Sequence, residues 1–485
     1  MPADDVGTTP PGTEPAAPNA PASAANAVPT RRDVLRLGAL AGLSGALGLA
    51  GCASGERRGA APRGAPAASS GAGELFRTPP MERVRIGFVG LGGMGSNHIN
   101  HLLKVPGAEI LALCDVLPEK VARVQDQVEQ ATGRRPAGYA RGPRDFERLC
   151  AEEDLDIVYH ATPWEWHVPG CIAAMKNGKH AAVEVPAAYT LDGCWELVET
   201  AETQRKHCVM LENCCYDRTE MMILNMVRKG LLGELLHAEC GYLHDLRDVK
   251  FNETYEGYWR RAHSTRRNGN LYPTHGLGPI AQCLDINRGD RFDYLVSMSS
   301  PSRGLQLWQQ ERLQPDDPRR RESFVLGDVN VSLIKTANGR TVYVVHDTNV
   351  PRPYSRIVMV QGTRGLVQGY PGPARAHIEG RSPAHRWENL YEQFADDCEH
   401  PLWRKTETTS ATSGHGGMDF LENYRLVQCL LKGEPLDMDV YDAAAISAVC
   451  ELSEQSTARR SRSVDFPDFT RGRWAARPPL GVVAV

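Results

Sequence analysis

The chain has 485 residues, enough for two domains with substantial cores. Lys and Arg total 55 against 59 Asp and Glu, for a net charge of −4. With no long basic run, a nucleic-acid surface is excluded, because phosphate backbones need clustered cations.

The first predicted element is an export signal. Thr30-Arg31-Arg32 carries a twin arginine, Val34 to Ala50 is apolar and rich in Gly and Ala, and Leu49-Ala50-Gly51-Cys52 has the form of a lipoprotein cleavage site. The apolar stretch, at ~17 residues, is marginal for a spanning helix and suits a signal core. Residues 1–52 are therefore expected to direct twin-arginine export to the periplasm or cell envelope. A lipid on Cys52 would be the sole link to a membrane. Residues 53–80, rich in Gly, Ala and Pro, read as a flexible tether. Twelve of the thirteen cysteines lie beyond it. Cys214 and Cys215 are adjacent, a poor spacing for a bridge, and most of the twelve are expected to be small buried hydrophobes.

Residues 81–212 read as alternating strands and helices. Val84 to Val89 is a buried parallel strand, followed at once by Gly90-Leu91-Gly92-Gly93-Met94-Gly95 and a helical pattern. A second strand, "EILALCDV", brings Asp115 to lie 20 residues after Gly95, the spacing at which a carboxylate meets the ribose of a dinucleotide. "LDIVYHATP", "HAAVEVP" and "HCVMLENCCY" continue as strands, separated by helical "HVPGCIAAMKNGK" and "TLDGCWELVETAETQRK". The pattern predicts an α/β fold opening on a doubly wound parallel sheet of Rossmann type that binds NAD.

From residue 213 to 485 the character changes. "ELLHAECGYLHD", "FDYLVSMSS", "VNVSLIKTANGRTVYVVHDT" and "YSRIVMVQGTRGLVQGY" are strand-like with few helices between them, and Asn338-Gly339 marks a hairpin. The tail returns to helices. This half is expected to be an α+β domain with a large open antiparallel sheet, and the active site is expected in the crevice between the two halves. No metal is expected, since neither H-E-x-x-H nor paired C-x-x-C occurs.

Thr162-Pro163 with His167, and Glu184-Val185-Pro186, resemble the glucose-fructose oxidoreductase / inositol dehydrogenase superfamily over residues 81–460. That family usually has Lys where this chain has Val185, and Asp where it has Leu271, four residues before His275. A valine moves no protons, so the resemblance does not imply an ordinary alcohol dehydrogenase. The strings "TPWEWHVPGC", "AVEVPAAYTLDGCWELVETAE", "LENCCYDR", "YWRRAHSTRRNGNLYPTHGLGPIAQ" and "GHGGMDFLENYRL" are similar to glycoside hydrolase family 109, the NAD-dependent α-N-acetylgalactosaminidases.

That resemblance implies tightly held NAD, recycled in each turnover. It places NAD against Gly90, Gly92, Met94, Gly95 and Asp115, with Trp164, Glu165, Trp166, His167, Glu184, Val185, Asn213 and Tyr272 along the nicotinamide half. It implies a sugar pocket of Tyr242, Arg260, Tyr272, Pro273, Thr274, His275 and Tyr354, for a glycoside containing N-acetylgalactosamine. The implied chemistry is transient oxidation at C3, elimination of the aglycone, addition of water and re-reduction, rather than the two-carboxylate route of most glycosidases. His275 is the candidate base at the C3 hydroxyl. Tyr216 is a candidate for proton transfer at C2, with a core tyrosine as the equal alternative. His415 reads as the start of a helix. A periplasmic sugar oxidoreductase of the same superfamily is the rival reading. In such folds the open sheet face often pairs with a second copy.

Overall fold

The computed structural model describes residues 78–252, 255–410 and 415–481, which fall in one compact unit. The export signal and most of the tether lie outside them. The first sheet has six parallel strands: β1 (Val84–Val89), β2 (Ala108–Cys114), β3 (Ala137–Tyr139), β4 (Ile157–His160), β5 (His180–Val183) and β6 (Cys208–Met210). Their spatial order, β3-β2-β1-β4-β5-β6, reverses direction between β1 and β4. In open α/β sheets a ligand crevice forms at the carboxyl ends of the strands at such a reversal. Every residue of β4, β5 and β6 is buried, as continuous apolar runs between two helical layers require.

The second sheet has nine strands: β7 (Leu235–Leu243), β8 (Phe292–Ser299), β9 (Val329–Thr336), β10 (Thr341–Asp347), β11 (Met359–Gly362), β12 (Gly365–Gln368), β13 (Arg375–Ile378), β14 (Glu388–Asn389) and β15 (Val464–Asp465). They are ordered β14-β13-β12-β11-β7-β10-β9-β8-β15. Asn338-Gly339 does turn the β9–β10 hairpin, with Gly339 at φ +85°. The sheet is largely antiparallel, as expected, with one exception: β7 and β10 run parallel from Thr341↔His237 to Asp347↔Leu243. A parallel pair needs a long crossover. Residues 244–328 supply one, and they hold more helix than the alternating pattern suggested: Tyr255–Ser264, Thr274–Cys283 and Gly304–Arg312.

The tail helices return to the first domain. Met418–Lys432 starts directly after a turn at His415–Gly417, in accord with the reading of His415 as a helix start. Its Asp419 takes hydrogen bonds from Asn97 in the helix Gly93–Leu102 and from Asn213 after β6, each at 2.6 Å. All twelve cysteines after the tether are buried and unbridged. No helix among the described residues is long and apolar enough to cross a membrane.

One close contact sets the position of His275. The helix Thr274–Cys283 lies directly on β7, with Gly276 against the backbone of Gly241; a Cβ on Gly276 would run into that backbone. Gly276→Ala is expected to force the helix off the sheet at a cost of about 1–3 kcal/mol, measured as a lower midpoint of urea unfolding. An unchanged midpoint would mean that the contact does not constrain the helix.

Candidate active site at the carboxyl ends of the parallel strands

The phosphate end of the cleft is built by the turn after β1. Gly90 has φ +91°, and a side chain there would strike the carbonyl of Ala161. Gly95 packs on Gly90 in the same way, while Gly92 and Gly93 have open space where a Cβ would stand. The helix Gly93–Leu102 has no acidic residue in its first turn and no side-chain cap. Its positive end is therefore left for an anion. Asp115 accepts from the Leu91 N–H at 2.7 Å and the Leu117 N–H at 3.0 Å, tying the carboxylate to the rim of the turn.

Gly90, Gly92, Met94 and Asp115 line a cleft of about 1140 Å³, part of it open to solvent, which runs on to Trp164, Trp166, His167, Glu184, Val185 and Tyr272. Glu184 is held from behind: His98 Nε2 donates to its carboxylate at 2.7 Å, and His98 Nδ1 accepts from Asn423. His167 is buried, with Nδ1 2.8 Å from the Pro186 carbonyl and Nε2 2.8 Å from that of Thr162. Burial lowers its pKa. It braces the two loops that shape the cleft. Glu165 is exposed, Asn213 is turned toward Asp419, and Gly95 acts through packing; these three do not line the cleft.

The sugar side is aromatic. The ring of Tyr242 lies 4.5 Å from that of Tyr272, 5.4 Å from that of His275 and 6.1 Å from that of Tyr354. The Arg260 guanidinium lies 4.5 Å from the Trp259 ring, 5.8 Å from Trp164 and 5.6 Å from Tyr272, so a cation roofs this wall. Tyr354 accepts from the buried Arg356, which also pairs with Asp217 and Glu220. Pro273 caps the helix that starts at the fully buried Thr274. His275 follows, with Nε2 3.5 Å from the Tyr272 hydroxyl.

Tyr216 is not brought to this place. It is buried, its hydroxyl donates to Asp437, and its carbonyl accepts from Trp403. Burial, with Asp437 and Glu422 close by, pushes its pKa far up. A hydroxyl committed to an internal carboxylate does not reach substrate, so the core reading of this tyrosine holds.

Glu212 was not singled out in the sequence, yet it touches the candidate base. Its carboxylate accepts from His275 Nδ1 at 2.7 Å and from the Cys214 N–H at 3.1 Å. The available signal was position: a charged residue directly after the apolar run Cys208–Leu211, at the carboxyl end of a parallel strand. Glu212, Cys214 and His275 also form the one grouping among the described residues compact enough to hold a metal ion. The 2.7 Å between Nδ1 and carboxylate is a direct hydrogen bond. Two ligand atoms on a tetrahedral zinc would stand roughly 3.3 Å apart.

A family model described as "Glycosyl hydrolase 109, C-terminal domain" matches residues 216–476, and one described as "Oxidoreductase family, NAD-binding Rossmann fold" matches residues 84–212. A glycosyl hydrolase family 109 protein of Shewanella amazonensis is 48% identical over 440 residues, covering 90% of this chain and 96% of the relative. The chain belongs to glycosyl hydrolase family 109. An α-N-acetylgalactosaminidase of Shewanella oneidensis is 46% identical over 423 residues, covering 86% of this chain and 92% of that one. Among solved structures, levoglucosan dehydrogenase in complex with NADH and L-sorbose aligns with a TM-score of 0.61 at 18% identity, over 80% of this chain and 100% of the other. An inositol dehydrogenase homolog of Azotobacter vinelandii with NADH and myo-inositol aligns with a TM-score of 0.58 at 18% identity, over 80% and 98%. These two share the fold.

This family 109 enzyme thus carries an NAD-binding Rossmann domain, and the chain's residues fit the dinucleotide: open space at Gly92 and Gly93, an uncapped helix end, and a carboxylate, Asp115, at the end of β2 in the same cleft. Asp115→Ala is expected to weaken NADH binding about 10–100-fold, the value of a charge-assisted hydrogen bond, read by fluorescence titration. Unchanged affinity would remove Asp115 from the site.

Lys250, 3% exposed beneath the aromatic wall, donates to Thr348 and Asn349. Burial, then Arg260, pushes its pKa down to about 7. Two acceptors serve a neutral amine and leave a third proton without a partner. The folded state therefore sheds this proton at lower pH than the unfolded chain, whose lysine titrates near 10.4. Stability should rise between pH 7 and about 10, with a slope from this group of up to ~1.4 kcal/mol per pH unit. Lys250→Met should flatten that rise, as measured by urea unfolding at pH 6 and 9.

Proposed function

We propose that the protein hydrolyses terminal α-N-acetylgalactosaminides with tightly held NAD, starting from oxidation of the sugar at C3. The observation that carries this reading is His275, which meets Tyr272 and Tyr242 where the NAD cleft joins the aromatic wall and is paired through Nδ1 with a buried carboxylate, whereas the neighbouring His244 is bonded through its own Nδ1 to the Tyr242 hydroxyl. The relative from Shewanella oneidensis, named as an α-N-acetylgalactosaminidase, supports the choice of sugar.

NAD, when bound, would accept and return a hydride at C3, so the reaction is redox neutral and one cofactor serves many turnovers. His275 Nε2, on the open side of the ring, takes the proton of the C3 hydroxyl. A carbonyl at C3 acidifies the proton on C2; that proton passes to a base in exchange with solvent, and the aglycone leaves C1 with the bonding electron pair and is protonated. Water then adds at C1, a solvent-derived proton is placed on C2, and His275 gives its proton back to the C3 oxygen as hydride returns to C3. Tyr242, Tyr272 and Arg260 hold the sugar face, and Val185 keeps the floor apolar and free of a second proton carrier.

A redox-neutral enzyme with retained cofactor suits a compartment without soluble NAD. We therefore read Arg31-Arg32 and Cys52 as the signal of a lipoprotein that folds around NAD before export. Tyr294, Met298 and Leu333 are exposed on one face of the second sheet, and a second copy of the chain is the occupant proposed for that face.

The test is incubation with p-nitrophenyl α-N-acetylgalactosaminide in deuterated water, without added NAD. The expected result is release of nitrophenol and deuterium at C2 of the sugar by NMR. His275→Ala should lose at least ~100-fold in rate while retaining NAD. Hydrolysis without deuterium at C2 would overturn the elimination route.

A further inference from the structure

Behind His275 lies a second buried region with its own chemistry. Glu212 has a fully buried side chain. One carboxylate oxygen serves His275 Nδ1 and the Cys214 N–H; the other is buried without a hydrogen-bond partner. Across a small internal cavity stands Glu422 of the helix Met418–Lys432, 3% exposed, with both carboxyl oxygens buried and unpartnered. The cavity is also lined by Tyr216 and Asp437, whose polar groups already bind each other.

We infer that Glu212 is the positioning residue for His275, and that the neighbouring Glu422 is a neutral acid, so that of these two glutamates only Glu212 carries negative charge behind the base. This inference rests on the proposed role of His275. An imidazole has two tautomers, and only the one with its proton on Nδ1 leaves a lone pair on Nε2 for the substrate hydroxyl. A carboxylate on Nδ1 selects that tautomer, fixes the ring plane, and stabilises the imidazolium formed when the base accepts a proton. The Cys214 N–H fixes the carboxylate in turn, so the orientation is inherited from the end of β6.

Two ionised carboxylates facing one small buried cavity would repel each other with little screening. Glu184 and Asp419 add further negative charge near Glu422 and, after burial itself, push its pKa well up. Two buried cations, Arg356 and Arg425, are committed to other carboxylates: Arg356 to Asp217 and Glu220, Arg425 to Asp437. Glu212, by contrast, receives two N–H donors, so the charge settles there. The groups around His275 are Glu212 and Cys214 from the segment after β6, Tyr242 and the neighbouring His244 from the end of β7, and Tyr272 from its own loop.

The same substitution at the two glutamates separates these roles. In the full chain with NAD bound, Glu212→Gln keeps the shape but removes the charge. It is expected to lower kcat at least 100-fold with KM changed less than threefold. The deuterium isotope effect for substrate labelled at C3 should rise, because the oxidation step, in which hydride leaves C3 as His275 takes the hydroxyl proton, becomes limiting. Glu422→Gln replaces a neutral acid with a neutral amide and should keep kcat within about threefold. Protonated Glu422 should also give a carboxylic C=O infrared band above 1700 cm⁻¹ that disappears in Glu422→Gln. Full activity in Glu212→Gln would overturn the positioning role. Equal losses in both variants, or no band assignable to Glu422, would overturn the division of charge. Failure of the wild type to release nitrophenol while NADH still binds would instead strike the proposed reaction.

Discussion

The carboxylate of Asp419 is the contact on which the active-site geometry depends. It is fully buried and receives one amide from the helix that opens at the phosphate turn and another from the segment after β6. A buried anion is costly unless its lone pairs are filled, and removing either partner leaves an uncompensated charge. The tail helix is therefore locked against the first domain at a defined position. Asn423, one turn along, donates to His98, which donates to Glu184 in the cleft. The tail thus sets the depth of the cleft floor, although its own residues do not line it.

The base is set by a different constraint, the close approach of the helix Thr274–Cys283 to β7 through Gly276 and Gly241. That approach needs no side chain on either partner. It brings His275 to the end of β6, where Glu212 waits. Cofactor cleft and aromatic wall meet at Tyr272, whose ring faces Trp164 on one side and Tyr242 on the other. A shift of the helix by an ångström would alter the base, its carboxylate and the shared tyrosine together.

Local pattern was enough to read the parallel sheet. β1 spans Val84–Val89, as its apolar run requires, and the glycine turn and Asp115 both line the cleft. The second sheet was legible as largely antiparallel strands, but its one parallel pair was not, because an alternating pattern does not encode which partner a strand finds. The parallel β7–β10 pair follows from the long crossover, a property of topology. Tyr216 and Glu212 show the same limit at the scale of a site. They lie four residues apart on one short segment, and the turn Asn213–Tyr216 sends one side chain to Asp437 and the other to His275. No periodicity distinguishes them. The superfamily pattern has an Asp four residues before the histidine, and here that position holds Leu271; the fold supplies a carboxylate from 63 residues away instead.

Val185 gives this substitution its sense. A lysine in the cleft beside a histidine would offer two proton carriers and a second cation near the reacting hydroxyl. With valine there, 3% exposed, the proton transfer proposed at C3 rests on His275. A base without a lysine beside it depends more on its carboxylate partner to fix the tautomer and balance the positive charge. The valine and the placement of Glu212 are thus parts of one arrangement: an apolar floor under the cofactor cleft, and an imidazole held by a buried carboxylate. Such a site suits a reaction in which the proton leaves the C3 oxygen and returns to it within the same turnover, so that neither proton nor electron pair need escape to solvent.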